Sequence, residues 1–155
     1  MAARQQLQTG AVIDGFTIGE KIHAGGMASL WRVTKPGIDI PIVMKVPTIL
    51  DGEDATIIVG FEMEAMILPR LSGVHVPKTI AVKSIAEQPY VVMEYIQGQN
   101  VLSLLDEAPL QPSRVTQLGA KIAAALVDLH RQNVLHLDIK PSNIMIRESG
   151  EAALI

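Results

Sequence analysis

Apolar and polar residues alternate along the first half of the chain, a pattern typical of half-buried β-strands. The alternation predicts strands at residues 16–23, 29–34, 40–46, 79–84 and 90–95. Turns at Gly25-Gly26 and Pro36-Gly37 separate the first three strands, because glycine and proline favour turn conformations. We therefore predict an antiparallel meander that two further strands extend to a five-stranded sheet.

Two segments instead repeat apolar residues every three or four positions, which predicts amphipathic helices. The first spans residues 53–71 and places Glu64 on the face formed by Ile57, Phe61, Leu68 and Leu71. The second spans residues 112–131, with Pro112 in its first turn, where a missing amide N–H is tolerated. Its apolar stripe consists of Val115, Leu118, Ile122, Leu126 and Leu129. With a short helix at residues 101–106, the order of elements predicts an α+β fold: a sheet with one helix, then a helical segment.

Composition narrows the class of protein. The chain has 13 basic and 16 acidic residues, a formal charge of −3, and only 3% aromatic residues, a balance that argues against a nucleic-acid partner. It contains no cysteine, which excludes disulfide bonds and cysteine-ligated zinc. No segment approaches the roughly 20 uninterrupted apolar residues of a membrane span, and no signal peptide is evident. We expect a globular cytoplasmic protein without a membrane segment.

The segment HLDIKPSN, from His136 to Asn143, contains the residue types that phosphoryl transfer needs. Such transfer requires an acceptor that orients a hydroxyl nucleophile, a cation for the moving phosphoryl group and an oxygen ligand for a divalent metal. Asp138, Lys140 and Asn143 supply these groups in that order. A polar turn that follows a helix is the alternative interpretation, so the segment alone does not decide the function.

Glu64 needs a cationic partner, because burying an unpaired charge on the apolar face of a helix costs several kcal/mol. Lys45 is the candidate. Strand alternation places Lys45 on the same face as Val43 and directs Met44 to the other face. Without Glu64, the simpler interpretation of Lys45 is a solvated strand lysine.

Four further segments, together with HLDIKPSN, resemble the signature motifs of the protein kinases and follow the family's order. IHAGGMASL at residues 22–30 resembles the glycine-rich loop, and IVMK at residues 42–45 resembles the VAIK strand. FEMEA at residues 61–65 resembles the helix that carries the partner glutamate, and VMEYI at residues 92–96 resembles the hinge. HLDIKPSN itself resembles the catalytic loop HRDLKPSN. The resemblance covers residues 16–155, and the Gly-Gly-Met loop is similar to bacterial-type serine/threonine kinases.

This resemblance implies a protein-kinase-like α+β fold, with a five-stranded small lobe, one helix and the helical start of a large lobe. Residues 1–15 would be an N-terminal extension, residues 16–96 the small lobe and hinge, and residues 97–155 the beginning of the large lobe. The last six residues look like the strand that precedes the family's DFG motif. We therefore expect a fragment that is inactive by itself.

ATP and Mg²⁺ are the cofactors that the resemblance implies. The implied nucleotide-binding residues are Ile22, His23, Ala24, Gly25, Gly26, Met27, Ala28, Leu30, Val43, Lys45, Glu64, Met93, Glu94, Ile96 and Met145. Lys45 would hold the α- and β-phosphates, and Glu64 would fix Lys45. Met93 would be the gatekeeper, and the backbone at Glu94 and Ile96 would bond the edge of an adenine ring that the apolar side chains enclose. We expect Gly25 and Gly26 to adopt positive φ so that amides approach the phosphates.

The catalytic roles follow from the same resemblance. Asp138 would orient the substrate hydroxyl and accept its proton, Lys140 would stabilise the transferred group, and Asn143 would ligate one Mg²⁺. With Lys140 and Ser142, the loop sequence resembles that of kinases that act on serine and threonine, rather than that of tyrosine kinases or small-molecule phosphotransferases. The expected partners are therefore ATP and a protein with serine or threonine hydroxyls.

Three departures from the family pattern leave alternatives open. His23 and Ala28 replace the first and third glycines of the loop, so we expect an altered nucleotide affinity or pH dependence. Leu137 replaces the arginine of HRD, which suggests activity that phosphorylation of an activation loop does not gate. A pseudokinase or nucleotide-binding regulatory module is the main alternative, and a small-molecule phosphotransferase is a further one.

Overall fold

The computed structural model describes residues 7–48, 55–84 and 88–155. Its strands are β1 (Val12–Ile13), β2 (Phe16–Ala24), β3 (Ala28–Thr34), β4 (Ile42–Pro47), β5 (Thr79–Lys83), β6 (Tyr90–Glu94), β7 (Gly98–Asn100), β8 (Ile144–Arg147) and β9 (Ala152–Leu154). Its α-helices are α1 (Ala55–Ile67) and α2 (Pro112–Arg131). Short 3₁₀ helices cover Leu68–Arg70, Val101–Glu107 and Pro141–Asn143. Over the described ranges, none of the helices combines the length and the apolarity that crossing a bilayer requires.

The chain forms two compact units. In the described part of the chain, the first comprises the residues up to Arg70 together with Lys78–Tyr95, and the second comprises Leu71–Pro77 and Ile96–Ile155. The boundary between Tyr95 and Ile96 lies inside the segment interpreted as the hinge. Leu71–Pro77 packs with the second unit, although the sequence placed it in the small lobe.

The first unit contains an antiparallel sheet with the strand order β1-β2-β3-β4-β6-β5. The α+β fold is as predicted, but the sheet has six strands rather than five. The additional strand, β1, lies in the segment interpreted as an extension and pairs with the start of β2. Asp14 and Gly15 connect the two strands with φ angles of 51° and 80°, the positive values that tight hairpin turns require. A strand of two residues is too short to produce an alternating pattern.

The turn at Asp14 connects the two edges of this sheet. The Asp14 carboxylate accepts hydrogen bonds from the Tyr90 hydroxyl at 2.7 Å and from Lys83 Nζ at 3.0 Å. Phe16 packs edge-on against the Tyr90 ring, with 6.2 Å between ring centroids. The sheet therefore curls around one buried core, which consists of Ile13, Phe16, Ile18, Trp31, Val33, Ile42, Met44, Tyr90 and Val92.

Helix α1 packs on the face of the sheet opposite to this core. Phe61 and Ala65 are buried against Val91 of β6. The helix ends at Ile67, because Pro69 has no N–H to donate to the carbonyl of Ala65. The predicted start of the helix at residue 53 lies outside the described residues. Leu71, predicted on the same face, packs instead against the core of the second unit.

Helix α2 organises the second unit and has the predicted bounds. Ala125 and Leu129 are buried, while Val115 is 52% exposed, so the apolar stripe begins later than predicted. The other buried members of this core are Val76, Val101, Leu104, Ile144, Ala152 and Leu154. They come from neighbouring segments that include the antiparallel sheet β7-β8-β9. The helix predicted at residues 101–106 is a 3₁₀ helix.

Backbone carbonyls hold Leu71–Pro77 in the second unit. Arg147 donates from Nε to the Val74 carbonyl at 2.7 Å and from Nη2 to the Val76 carbonyl at 3.2 Å. The Leu154 amide donates to the His75 carbonyl at 2.9 Å. Three successive carbonyls thus accept hydrogen bonds from β8 and β9, which tie this segment to the second unit.

Replacing Asp14 by asparagine should lower the free energy of unfolding of the full chain by about 1 kcal/mol at neutral pH, because the Tyr90 and Lys83 bonds lose their charged acceptor. The Tyr90 hydroxyl, and then Lys83, hold the pKa of Asp14 below its ordinary value of 3.8. The stabilisation is therefore present above about pH 4 and is lost as the pH falls through the lowered pKa.

Denaturant titrations at about pH 7 and at more acidic pH values below about 4 measure this difference. Asp39→Asn, at an exposed position of the same unit, serves as the matched control. An Asp14→Asn effect that stays constant over this pH range would contradict the prediction.

Candidate functional site

Strand register gathers several predicted residues on one face of the first unit's sheet. His23 lies directly opposite Leu30, Leu30 opposite Lys45, and Lys45 opposite Val91. Directly opposite residues of antiparallel strands point to the same side of a sheet. Met44 points to the other side, where it is fully buried in the core. The face of Lys45 is therefore the face that carries α1.

The ion pair expected between Lys45 and Glu64 is present. Lys45 Nζ lies 2.6 Å from Glu64 Oε1 and 2.7 Å from Oε2. The side chains are 29% and 31% exposed, so water screens the pair only in part. The contacts of Phe61 and Ala65 with Val91 place Glu64 above Lys45. The pair thus fixes an ammonium group on the face of the sheet that carries Lys45 and α1, here called the site face.

The glycine-rich loop is a tight connection between β2 and β3. The Gly25 amide donates to the Ala28 carbonyl at 2.9 Å, and the Thr48 amide donates to the Met27 carbonyl at 2.9 Å. Gly26 and Met27 are exposed at the tip. The expectation of positive φ at Gly25 and Gly26 is wrong. The hydrogen bond from the Gly25 amide to the Ala28 carbonyl closes the loop, and no residue in the left-handed conformation is needed at Gly25 or Gly26.

Gly25 has a different effect on the loop, because it lies against the His23 side chain. A Cβ atom built on Gly25 would lie 3.0 Å from His23 Nε2 and 3.3 Å from the Ala28 carbonyl oxygen. The first distance is tighter than nine in ten real Cβ contacts, so a side chain here would shift the exposed imidazole by a few tenths of an ångström. The missing side chain therefore makes room for His23.

Other predicted nucleotide-binding residues of the first unit lie on β2, β3, β4 and β6. Val43 is directly opposite Met93, the predicted gatekeeper. Leu30 is half-buried, and Ile22 and Ala24, at the end of β2, are exposed. The remaining predicted members of this group are Ala28, the first residue of β3, and Glu94, the last residue of β6.

The backbone of the hinge segment is partly committed to the fold. The Glu94 amide donates to the Lys78 carbonyl at 2.8 Å, so a ligand at this residue would have to use the carbonyl. Ile96 and Met145 belong to the second unit. Ile96 is buried, and Met145 lies opposite Asn100 on the neighbouring strand.

In the second unit, three predicted catalytic residues form one hydrogen-bonded cluster. Asp138 Oδ2 lies 2.8 Å from Lys140 Nζ. Asn143 Nδ2 donates to the same carboxylate oxygen at 2.8 Å and to the Asp138 carbonyl at 3.0 Å. The Asp138 and Lys140 side chains are 63% and 52% exposed, so they are accessible to a substrate. The cluster therefore combines an accessible acceptor with an adjacent cation.

Local donors keep the Asp138 carboxylate ionised. The hydrogen bond from Lys140, with a smaller contribution from Asn143, holds the pKa of Asp138 below its ordinary value of 3.8. Because a carboxylate only accepts, the Asn143 amide nitrogen faces Asp138 and leaves its Oδ1 oxygen for another partner. An amide oxygen is a ligand type that Mg²⁺ binds. In the described part of the chain, no cluster of three or more His, Cys, Asp or Glu side chains suits a metal.

The backbone of this loop is held in an uncommon conformation. Leu137 has a φ of 63°, and its side chain is 88% exposed. A positive φ is unusual for a bulky residue. The next amide, of Asp138, donates to His136 Nδ1 at 3.3 Å. His136 therefore supports the loop backbone.

The sequence did not indicate one supporting residue, Asn100. Its amide nitrogen donates to the Ser142 carbonyl at 3.0 Å, and its Oδ1 accepts from the Leu102 amide at 2.8 Å. Asn100 thus caps the 3₁₀ helix and anchors the end of the segment HLDIKPSN. An asparagine before the apolar run VLSLL is an N-cap signal, but its contact with Ser142 depends on the fold.

Comparisons with known proteins identify the family of the chain. The family model described as "Protein kinase domain" matches residues 16–155. Serine/threonine-protein kinase PknL of Mycobacterium bovis is 27% identical over 152 residues, which cover 97% of this chain and 38% of that protein. Serine/threonine-protein kinase PknK of Mycobacterium tuberculosis is 33% identical over 144 residues, which cover 90% of this chain and 13% of that protein.

Solved structures show the same fold. The crystal structure of the Mycobacterium tuberculosis PknI kinase domain aligns with a TM-score of 0.76 at 22% sequence identity, over 96% of this chain and 62% of that chain. At this identity the likeness concerns the fold alone. The chain spans only 13% to 38% of the length of the two curated relatives above.

A double-mutant cycle on Lys45→Met and Glu64→Gln should give a coupling free energy of about 1 kcal/mol, because the two charged groups contact each other while partly shielded from water. Urea unfolding of the full chain, the two single variants and the double variant measures this value. The matched control is the more exposed pair Glu20 and Arg32, tested with Glu20→Gln and Arg32→Met. For this control we expect no more than about 0.5 kcal/mol. Additive effects at Lys45 and Glu64 would contradict the prediction.

Proposed function

Because the chain belongs to the protein kinase family, we propose that the intact protein transfers the γ-phosphoryl group of ATP to serine or threonine hydroxyls of a protein. The observation that carries the proposal is the cluster of Asp138, Lys140 and Asn143. It presents an ionised acceptor, a cation and an amide oxygen within one loop. Residues 16–96 would bind most of the nucleotide, and residues 97–155 would supply the catalytic loop.

Lys45 has the arrangement needed to hold phosphate oxygens. Both oxygens of Glu64 contact its ammonium group, so Lys45 is positioned before a nucleotide binds. A prepositioned cation loses less side-chain entropy on binding than a free one. In this proposal Lys45 binds the α- and β-phosphates, and the exposed tip at Gly26 and Met27 contributes backbone groups to the phosphate site.

Asp138 acts as the acceptor in the transfer step. The substrate hydroxyl oxygen attacks the γ-phosphorus, the bond from this phosphorus to the β-phosphate oxygen breaks, and ADP leaves. The hydroxyl proton passes to the Asp138 carboxylate, which is ionised at neutral pH. Lys140 lies 2.8 Å from the acceptor and would stabilise negative charge on the transferred group.

The residues fit a divalent cation with oxygen ligands. Asn143 Oδ1 would hold Mg²⁺ together with phosphate oxygens of the nucleotide. When bound, the cation would neutralise charge on the phosphates. The hydrogen bonds from Asn143 Nδ2 to Asp138 orient the amide for this role.

Two observations support serine and threonine as acceptors. Curated relatives, including PknL and PknK, have the name serine/threonine-protein kinase. This chain also has Lys140 and Ser142 in the loop, as the resemblance to that branch requires. The proposal includes a cytoplasmic location, where ATP is abundant.

A nucleotide-binding module without transfer activity is the second candidate. It is favoured by Leu137, which stands where the family motif has a charged arginine. The Leu137 side chain is exposed, and its φ is positive. Such a module would bind ATP through Lys45 while no phosphate reached a protein hydroxyl. Measuring nucleotide binding and phosphate transfer on the same preparation separates the two candidates.

Asp138→Asn in the full-length protein should reduce phosphate transfer by at least about 100-fold and leave the Kd for ATP within about twofold, because it removes the proton acceptor and not a nucleotide contact.

Lys45→Met should weaken ATP binding as well as transfer, with the fold retained. Radiolabel transfer to a serine- and threonine-containing protein, together with calorimetric ATP binding, measures both quantities.

Asp106→Asn, at an exposed position of the same unit, is the matched control for loss of a carboxylate and should leave both quantities unchanged. ATP binding without transfer in the unmodified protein would favour the second candidate. Unimpaired transfer by Asp138→Asn would remove Asp138 from its proposed role.

A further inference from the structure

His23 occupies a distinctive position in the phosphate-binding region. It lies at the end of β2, directly before the glycine-rich loop, in a row with Leu30 and Lys45 on the site face of the sheet. Neighbouring strands lie about 5 Å apart, so the His23 and Lys45 backbones are separated by roughly 10 Å across β3. Both side chains therefore project from the same face at a spacing that a polyphosphate can bridge.

The imidazole is directed toward the loop. His23 Nε2 lies 3.0 Å, and Cδ2 lies 3.6 Å, from the position that a Cβ atom on Gly25 would occupy. The ring therefore covers the Gly25 backbone, next to the exposed tip at Gly26 and Met27. A group bound to the tip would meet the edge of this ring.

Charged groups around His23 leave its imidazole available for an anion. On its own strand, Glu20 pairs with Arg32, and the Lys21 ammonium lies over the Trp31 ring. On the facing elements, Leu30 is apolar, and Glu64 is bonded to Lys45 through both oxygens.

Among the described residues, no hydrogen bond or ion pair of the His23 side chain is found, and no carboxylate neutralises it. A protonated His23 would therefore add positive charge beside Lys45 and the loop tip.

We propose that His23 is an additional phosphate-contacting residue of the nucleotide site and that its imidazolium form strengthens the binding of ATP. The inference rests on the proposed nucleotide-binding function and extends it to a regulation by pH. Histidine changes its charge between about pH 5 and pH 8, so ATP affinity gains a contribution at low pH that is lost as the pH rises. The bound phosphates in turn favour the protonated ring.

The test compares ATP affinities of the full chain and of two variants by calorimetry at about pH 6 and about pH 8, at constant Mg²⁺. Wild type should bind ATP about fivefold more tightly than His23→Gln at the lower pH and equally well at the higher pH, a factor expected for one additional charge contact near the surface. His23→Lys should retain tight binding at both pH values. Ratios between variants at each pH cancel the titration of ATP itself.

A second readout follows His23 directly. The imidazole proton resonances of His23, which are those missing from His23→Gln, should titrate at a higher pH in the presence of ATP than in its absence, because binding and protonation are linked. His130→Gln, at an exposed position on α2, is the matched control and should bind ATP like wild type. Circular dichroism of each variant checks that the fold is retained.

A ratio of wild-type to His23→Gln affinity that is the same at both pH values overturns the inference and leaves the proposed function intact. Unchanged titration of the imidazole on ATP binding does the same. If the folded wild type binds no ATP at both pH values, the proposed nucleotide site itself is overturned, and with it this inference.

Discussion

The antiparallel register of β2, β3, β4 and β6 is the constraint on which the first unit depends. Because directly opposite residues share a face, the register assigns Trp31 and Met44 to the core and Lys45 to the other side. A shift by one residue would bury Lys45 in the core and expose Met44. The unfavourable burial of that charge therefore couples the stability of the core to the position of the functional ammonium group.

The two units position chemical groups in different ways. In the first unit, regular strands and α1 hold Lys45 and Glu64, so core packing determines where the ammonium lies. In the second unit, the segment HLDIKPSN is mainly loop, and its residues bond one another: Asp138 contacts both Lys140 and Asn143. Asn100 and His136 support the loop backbone from either end. Loops of this kind can present charged groups to solvent, whereas strands must bury one face.

Two departures from the family pattern, His23 and Leu137, are accommodated in different ways. His23 fits at the entrance of the loop because Gly25 has no side chain. Leu137 adopts a positive φ between two residues that bond each other, His136 and Asp138. Conformations of this kind cost about 1–3 kcal/mol and persist where the surrounding structure imposes them. Both departures are therefore accommodated within a kinase fold.

Local pattern by itself determined five of the six strands in the sheet of the first unit, the bounds of α2 and the partnership of Lys45 with Glu64, because periodicity and the cost of an unpaired charge act within a segment or between two recognisable faces. Only the tertiary structure decided the position of Asp14 against Tyr90, the packing of Leu71–Pro77 with the second unit and the contact of Asn100 with Ser142. These contacts join residues far apart in the chain, and each uses a polar group that many neighbours could satisfy. Periodicity carries no information about which distant donor meets which acceptor, so the packing of the whole core makes that choice.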